Sequence, residues 1–268
     1  SDGVELFKRQ TQLLAGLAHA SLALIEDWGT ETIAGTQYVF TALESYQGGT
    51  LRQILDRGRR LTPSQALVAG LDVCRALHFL HGKGWVHGDV RPANIFLGDD
   101  GRVRLAGLGL KRMVDAQQIS VEQANFAAPE IALGEQPSPQ SDVYSLAVTL
   151  LETITGVVPF VGETAAITLA NRVGKLLPVS ADLGPIAAPL ERAGRPDANE
   201  RFSALDFGKA LAGIAEKMPL PTPIEPLAAA SFAAVIEQKE AEHTGEIVRP
   251  KIDVTQDVTR PISPATNP

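Results

Sequence analysis

The sequence predicts an α+β chain in which a short strand-bearing segment precedes a mainly helical body. Three observations carry that reading. Residues 22–28 and 37–43 read as strands joined by a Gly-containing turn around 30–35. A long helix opens at Thr62-Pro63, an N-cap followed by proline at the first helical position. It then carries Leu67, Leu71, Cys74, Leu77 and Leu80 before stopping near Gly82 and Gly84. A further helix, from about 143 to 155, is apolar on most of its circumference (Val143, Leu146, Val148, Leu150, Leu151, Ile154), which suits the middle of a domain.

The other elements follow in order. Val4, Phe7, Leu13, Leu14 and Leu17 give residues 4–18 an amphipathic helical spacing. Gly48 and Gly49 break the strand pattern before a short helix over 51–57. Residues 95–97 and 103–105 are short strand candidates around a turn at 98–101, and 111–125 is polar without clear periodicity. Ser141-Asp142 is expected to cap the greasy helix, and Gly156 and Pro159 to end it. Helices near 164–173 and 203–217 finish the globular part. Pro219, Pro221, Pro223 and Pro226 then form a stiff linker, followed by an Ala-rich helix over 227–241 and a Thr/Pro tail. That tail is too polar to bury a core and is expected to be disordered on its own. The expected division is 1–46 for the strand-bearing segment, 47–217 for the helical body and 218–268 for the tail.

A chain of 268 residues with 44% hydrophobic content buries a sizeable core in one domain or two small lobes. The net charge of -7 argues against a nucleic-acid binder. One cysteine, Cys74, excludes an intramolecular disulfide framework and fits a reducing, cytoplasmic compartment. No apolar run approaches the roughly 18 residues of a membrane span, and no signal peptide opens the chain. Opening on Ser1 rather than Met, it is expected to be a fragment or a processed chain.

Chemistry concentrates at residues 87–96, H-G-D-V-R-P-A-N-I-F. Pro92 keeps this stretch out of a helix, so Asp89 and Asn94 can face one cavity. An Asp there can accept a hydroxyl proton, and an Asn amide oxygen can ligate a hard cation. Either residue also serves as a plain turn former bonding its own backbone.

With its neighbours, this loop resembles the eukaryotic-type (Hanks-type) Ser/Thr protein kinase family, most closely the bacterial branch. His87-Gly88-Asp89 through Asn94 is similar to the catalytic-loop motif H-R-D-x-x-x-x-N, and Ala128-Pro129-Glu130 to A-P-E. The stretch at 141–146 resembles the start of the family's central helix, with Asp142 in it. Arg201 falls where the family puts the Arg that pairs with Glu130. His19 fits the turn after helix C, and Glu44 with Tyr46 fits the nucleotide-side hinge. The resemblance covers residues 4–217 and implies a protein kinase-like fold: a helical C-lobe with an N-lobe reduced to helix C and the following strands. The glycine-rich phosphate loop and the nucleotide-binding Lys have no counterpart here, and are expected upstream or not at all.

The departures fall on the chemistry. Gly107 stands in place of the D-F-G Asp that holds Mg²⁺ against the nucleotide phosphates, leaving Asn94 as a single neutral ligand. Gln10 replaces the helix C Glu, Gly88 the catalytic-loop Arg, and Arg91 the Lys after the catalytic Asp. Glu122-Gln123 replaces the Gly-Thr that shapes the peptide site. Leu14, Ile25, His87 and Leu108, by contrast, match the family's packing column. The resemblance therefore implies a pseudokinase, a binding, scaffolding or regulatory module with no cofactor, in which Asp89 and Asn94 survive as relics or as loop-fixing hydrogen bonders. The alternative is an active Ser/Thr kinase using ATP and Mg²⁺, with Asp89 as base, Arg91 beside it and Asn94 on the metal.

His78, His81 and His87 have a metal-like spacing, but His81 and His87 are expected to serve packing and loop support. Cys74, on an apolar stripe, is expected in the core. Gly107 and Gly109 lack the strand-to-helix context of a phosphate loop. In the tail, Thr255 and Thr259 sit in an acidic-flanked stretch; phosphate there would suit an Arg-lined reader such as an FHA domain.

Overall fold

The computed structural model describes residues 16–107, 119–218 and 223–226. The helix expected over 4–18 lies outside them except for 16–18, which are not helical. The Ala-rich helix and the tail threonines also lie outside them.

Two strands, β1 (Ile25–Ile33) and β2 (Thr36–Leu43), form an antiparallel hairpin with Ile33 opposite Thr36. This corrects the expected boundaries of the first strand. The turn is only Ala34-Gly35, both left-handed at φ 49° and 81°, the two-residue geometry whose twist matches the flanking strands. Thr30, Thr32 and Ile33, β-branched, stay in the strand. Residues 21–23 instead join β4 (Val103–Leu105): Leu22 bridges Leu105, the Leu105 amide donates to Ser21 O, and the Ala23 amide donates to Leu105 O.

The helical body starts with α1 (Leu51–Asp56) and α2 (Pro63–Gly82), each opened by a Thr–Gln capping box, Thr50 with Gln53 and Thr62 with Gln65. The expected start of α2 is the one found. At its centre lies α4 (Pro139–Thr155), buried on every side from Ser141 to Thr153. Its cap is Ser138, with Pro139 at the first helical position, and not Ser141-Asp142. The Pro139 ring sets φ for the first turn, so the helix begins a turn early and Asp142 is drawn inside it, where its carboxylate has other work. Gly156, left-handed at φ 79°, closes the helix.

Helix α2 packs on α4 and on α7 (Ala204–Ala215), and Gly70 is where all three meet. A Cβ there would stand 2.9 Å from Leu150 Cδ1 and 3.0 Å from Leu211 Cδ1. Leu77, Leu80, Leu146, Leu150 and Phe207 are buried in the same core. Short helices α3 (Val121–Ala124), α5 (Ala165–Ala170) and α6 (Ala187–Ala193) complete the body. The body is helix-rich with small antiparallel sheets. Residues 223–226, expected within a stiff linker beyond the globular part, lie against the body with Ile224 in its core. Among the described residues no helix is long and apolar enough to cross a membrane.

Candidate active site

The site is built on a small hairpin. Strand β3 (Ile95–Leu97) pairs antiparallel with β4, Ile95 opposite Leu105. Residues just outside that pair must therefore be neighbours, and they are Asn94 and Ala106-Gly107. The Ala106 amide donates to Asn94 O at 2.8 Å. Gly107 is left-handed at φ 83°, and a Cβ on it would stand 2.9 Å from Asn94 Cγ and Nδ2 and 3.0 Å from Oδ1. The Asn94 amide thus packs against a bare α-carbon.

The loop before β3 is held from below by α4. The buried Asp142 carboxylate accepts from the amides of His87 (2.8 Å) and Gly88 (2.7 Å), and bonds His81 Nε2 at 2.9 Å. His87 Nε2 bonds Ala106 O at 2.8 Å, and its Nδ1 accepts from the Asp89 amide at 3.2 Å, which assigns a neutral ring with the proton on Nε2. Burial pushes the His87 pKa down, and the nearby Asp142 carboxylate only partly offsets this.

Asp89 is surrounded by donors from its own protein. Asn94 Nδ2 donates to Asp89 O (2.7 Å) and Oδ2 (3.0 Å); Arg91 Nε lies 3.3 Å from Oδ2 and Gln123 Nε2 3.4 Å. Arg91 also reaches Glu122 Oε2 at 2.9 Å. Glu122-Gln123 lies on α3, whose cap Ser120 forms a reciprocal box with Gln123. The residues expected to have altered a peptide site therefore tie that helix to Asp89 and Arg91.

Behind α3, Glu130 and Arg201 form a bidentate pair at 2.8 Å on each arm, with Ser141 Oγ donating to Glu130 at 2.7 Å. Arg201 also bonds the carbonyls of Arg195, Pro196 and Gln140, and stacks on Tyr144 with its guanidinium carbon 4.9 Å from the ring centroid. Burial alone would raise the Glu130 carboxyl; Arg201 and Ser141 outweigh it and hold the pKa below the usual value. This arrangement of A-P-E glutamate, C-terminal arginine and aspartate-bearing loop spans more than a hundred residues. A protein kinase domain profile matches residues 5–192. The chain belongs to the protein kinase domain family.

Its relatives in that family include a probable serine/threonine-protein kinase of Streptomyces coelicolor, 33% identical over 59% of this chain and 24% of its own length. PknB of Mycobacterium leprae is 34% identical over 59% of this chain and 26% of its own. PknA of Mycobacterium tuberculosis is 34% identical over 63% of this chain and 40% of its own. The chain thus spans less than half the length of these kinases.

Tyr46, expected at the hinge, is buried. Its hydroxyl donates to Glu44 Oε2 at 3.1 Å and accepts from the Leu24 amide at 3.4 Å, and its ring lies 5.5 Å from that of Phe96. His19 stacks on Phe79 of α2, ring centroids 4.9 Å apart. Leu14, Gln10, Leu108 and Gly109 lie outside the described residues. Cys74 is buried, and burial pushes its thiol pKa up. Among the described residues no group of three or more His, Cys, Asp or Glu is placed to hold a metal ion.

The ATP–Mg²⁺ pair that the family implies fits these residues poorly. Gly107 offers no side-chain oxygen, Asn94 and Asp89 bond each other, and a side chain at 107 would press on Asn94.

Two anchors escaped the sequence reading. Arg172, buried, donates to the carbonyls of Ala124 and Ala127 (2.7 Å each), Asn125 and Pro159, fastening the chain around α3 to the segment before α5. Asp72, buried on α2, holds Arg102 Nε at 2.9 Å and Arg75 at 2.8 Å, fixing the β3–β4 hairpin. An arginine and an aspartate at half-apolar helical positions were the available signs, but alone they read as solvated charges.

Proposed function

We propose that this kinase-family domain is a pseudokinase, a binding or regulatory module in signalling that works through its shape and does not transfer phosphate. The supporting observation is the phosphate end of the site. Gly107 supplies no carboxylate where the family holds its metal, and Asn94 and Asp89 are bonded to each other. Phosphoryl transfer rests on positioning and charge neutralisation, so a site without that carboxylate loses the main source of rate. The expected partner is a protein. Thr255 and Thr259 are the proposed phosphoacceptors, offering acceptor oxygens to an Arg-lined reader such as an FHA domain.

The test is titration with ATP, with and without Mg²⁺, followed by thermal unfolding and by incorporation of labelled phosphate. No Mg²⁺-dependent shift and no incorporation into itself or a basic substrate are expected. A metal-dependent ATP shift would overturn the reading. For the tail, mass spectrometry of the native protein decides: phosphate absent from both Thr255 and Thr259 ends that proposal. The rival reading, an active Ser/Thr kinase, draws on the retained Asp89 and on relatives named as kinases. It needs a glycine-rich loop and a lysine from outside these residues, and it requires the opposite outcome in the same titration.

A further inference from the structure

Residues 223–226, Pro-Ile-Glu-Pro, lie on the body, and the side chains that hydrogen-bond them are remote in sequence. Gln65, at the start of α2, donates from Nε2 to Pro223 O at 3.3 Å. Arg59, in the turn between α1 and α2, donates from Nη2 to Glu225 O at 3.1 Å and reaches Glu225 Oε2 at 3.5 Å. Pro223 Cβ lies 3.9 Å from where a Cβ on Gly101 would stand, in the β3–β4 turn. Between these three holds, Ile224 is only 5% exposed and belongs to the main core.

This is a pattern of peptide recognition. An apolar side chain fills the core, two backbone carbonyls are read by side-chain donors, and one charge meets an arginine. Prolines on both sides stiffen the segment and reduce the entropy lost on docking. The cleft walls are themselves fixed. Thr62 and Gln65 cap α2, and the β3–β4 turn is pinned to α2 by Arg102 on Asp72. A rigid cleft with a separable, stiff occupant is what a docking site requires.

We infer that the cleft formed by the α1–α2 turn, the start of α2 and the β3–β4 turn is a docking site for an extended Pro-apolar-acidic-Pro peptide, occupied in cis by Pro223–Pro226. It holds the C-terminal segment to the domain and is independent of whether the active site transfers phosphate.

The test uses the full chain and a fluorescein-labelled synthetic peptide of residues 219–230. Ile224→Asp places a charge in the core and should release the strap. The released chain should bind the peptide about tenfold or more tightly than the wild type, whose site is filled. Adding Arg59→Glu should abolish that binding, and a peptide carrying Arg in place of Glu225 should recover it. Equal affinity for wild type and Ile224→Asp, or binding indifferent to Arg59, would overturn the proposal.

A second measurement covers the case in which Ile224→Asp fails to fold. In an otherwise wild-type chain, Gly101→Cys with Pro223→Cys should form a disulfide under mild oxidation, because the 3.9 Å gap lies within disulfide reach and the left-handed φ of 72° at Gly101 adds only a small strain for a Cβ. Cys74 is buried and should not compete. A chain that stays fully reduced at these two positions would overturn the docking.

Discussion

Glu130 and Asp89 are both carboxylates of one helical body, and their surroundings differ in kind. Glu130 is buried, clamped bidentately by an arginine with no exposed side-chain surface, and supported by a serine hydroxyl. Asp142 and Asp72 are likewise buried, each meeting several donors. Asp89 is half-buried and touches Asn94, Arg91 and Gln123 at longer distances, beside a glycine that offers nothing. The carboxylates that hold shape keep full sets of partners. The one that would carry chemistry has two partners within five residues of itself and one long contact, 3.4 Å, from Gln123. Shape and chemistry are therefore separable here, and each of the following measurements probes one side of that divide.

The largest effect is expected on the structural side. Arg201→Ala leaves a buried carboxylate without its counter-charge and should cost about 3–5 kcal/mol, read as a shift in the urea midpoint. A paired change to apolar residues, Glu130→Met with Arg201→Leu, should recover much of it, because the desolvation of both charges disappears together. If Arg201→Ala cost no more than a surface substitution, the contrast with Asp89 would fail.

Next comes Gly107→Asp, which restores an acid on the chemical side. A left-handed residue with a Cβ costs about 1–2 kcal/mol, and Asn94 must also give way. The new carboxylate would face the Asn94 amide, so Mg²⁺ should regain part of the loss in this variant and have no effect on the wild type. Calorimetry with and without Mg²⁺ checks both halves. Unchanged stability in Gly107→Asp would show that Asn94 is not closely packed against position 107.

The reach of the sequence follows the same divide. The β3–β4 strands, the α2 start and the Gly156 stop were legible because each depends on residues within one turn of itself. The resemblance placed Glu130 with Arg201 and Asp89 with Asn94, although the first pair is separated by 71 residues. What the sequence withheld depends on tertiary context. Ser138 and Pro139 start the helix a turn before Ser141-Asp142, and Asp142, placed inside it, meets the amides of His87 and Gly88. Arg172 and Ile224 looked like an ordinary charge and an ordinary linker residue until distant carbonyls and a cleft gave them partners.

A smaller effect is expected from pH. Burial lowers the His87 pKa from 6.5, so the unfolded chain binds a proton there before the folded chain does. Above the unfolded value both states are neutral and His87 contributes nothing to the slope. As pH falls below it, stability should drop by at most about 1.4 kcal/mol per unit, until the folded ring also titrates. His87→Gln should flatten the stability profile between pH 6.5 and its acid end. An unchanged slope would mean that the ring titrates alike in both states.

The smallest effect belongs to Asp89→Asn. The substitution keeps shape and removes the charge, and one oxygen that accepts from Asn94, Arg91 and Gln123 becomes a donor unless the amide turns over. A cost near 1 kcal/mol is expected, since partly exposed hydrogen bonds give modest net stabilisation. On the proposed reading, in which Gly107 supplies no carboxylate for a metal beside Asp89, background phosphate incorporation should be the same before and after. That pairing of outcomes makes the variant informative despite its small size. A catalytic base replaced by its amide would abolish turnover with little change in folding, whereas a loop fastener would alter folding slightly and turnover not at all. If labelled phosphate enters the wild type and is lost in Asp89→Asn at equal stability, Asp89 belongs with chemistry, and the divide drawn between it and Glu130 is in the wrong place.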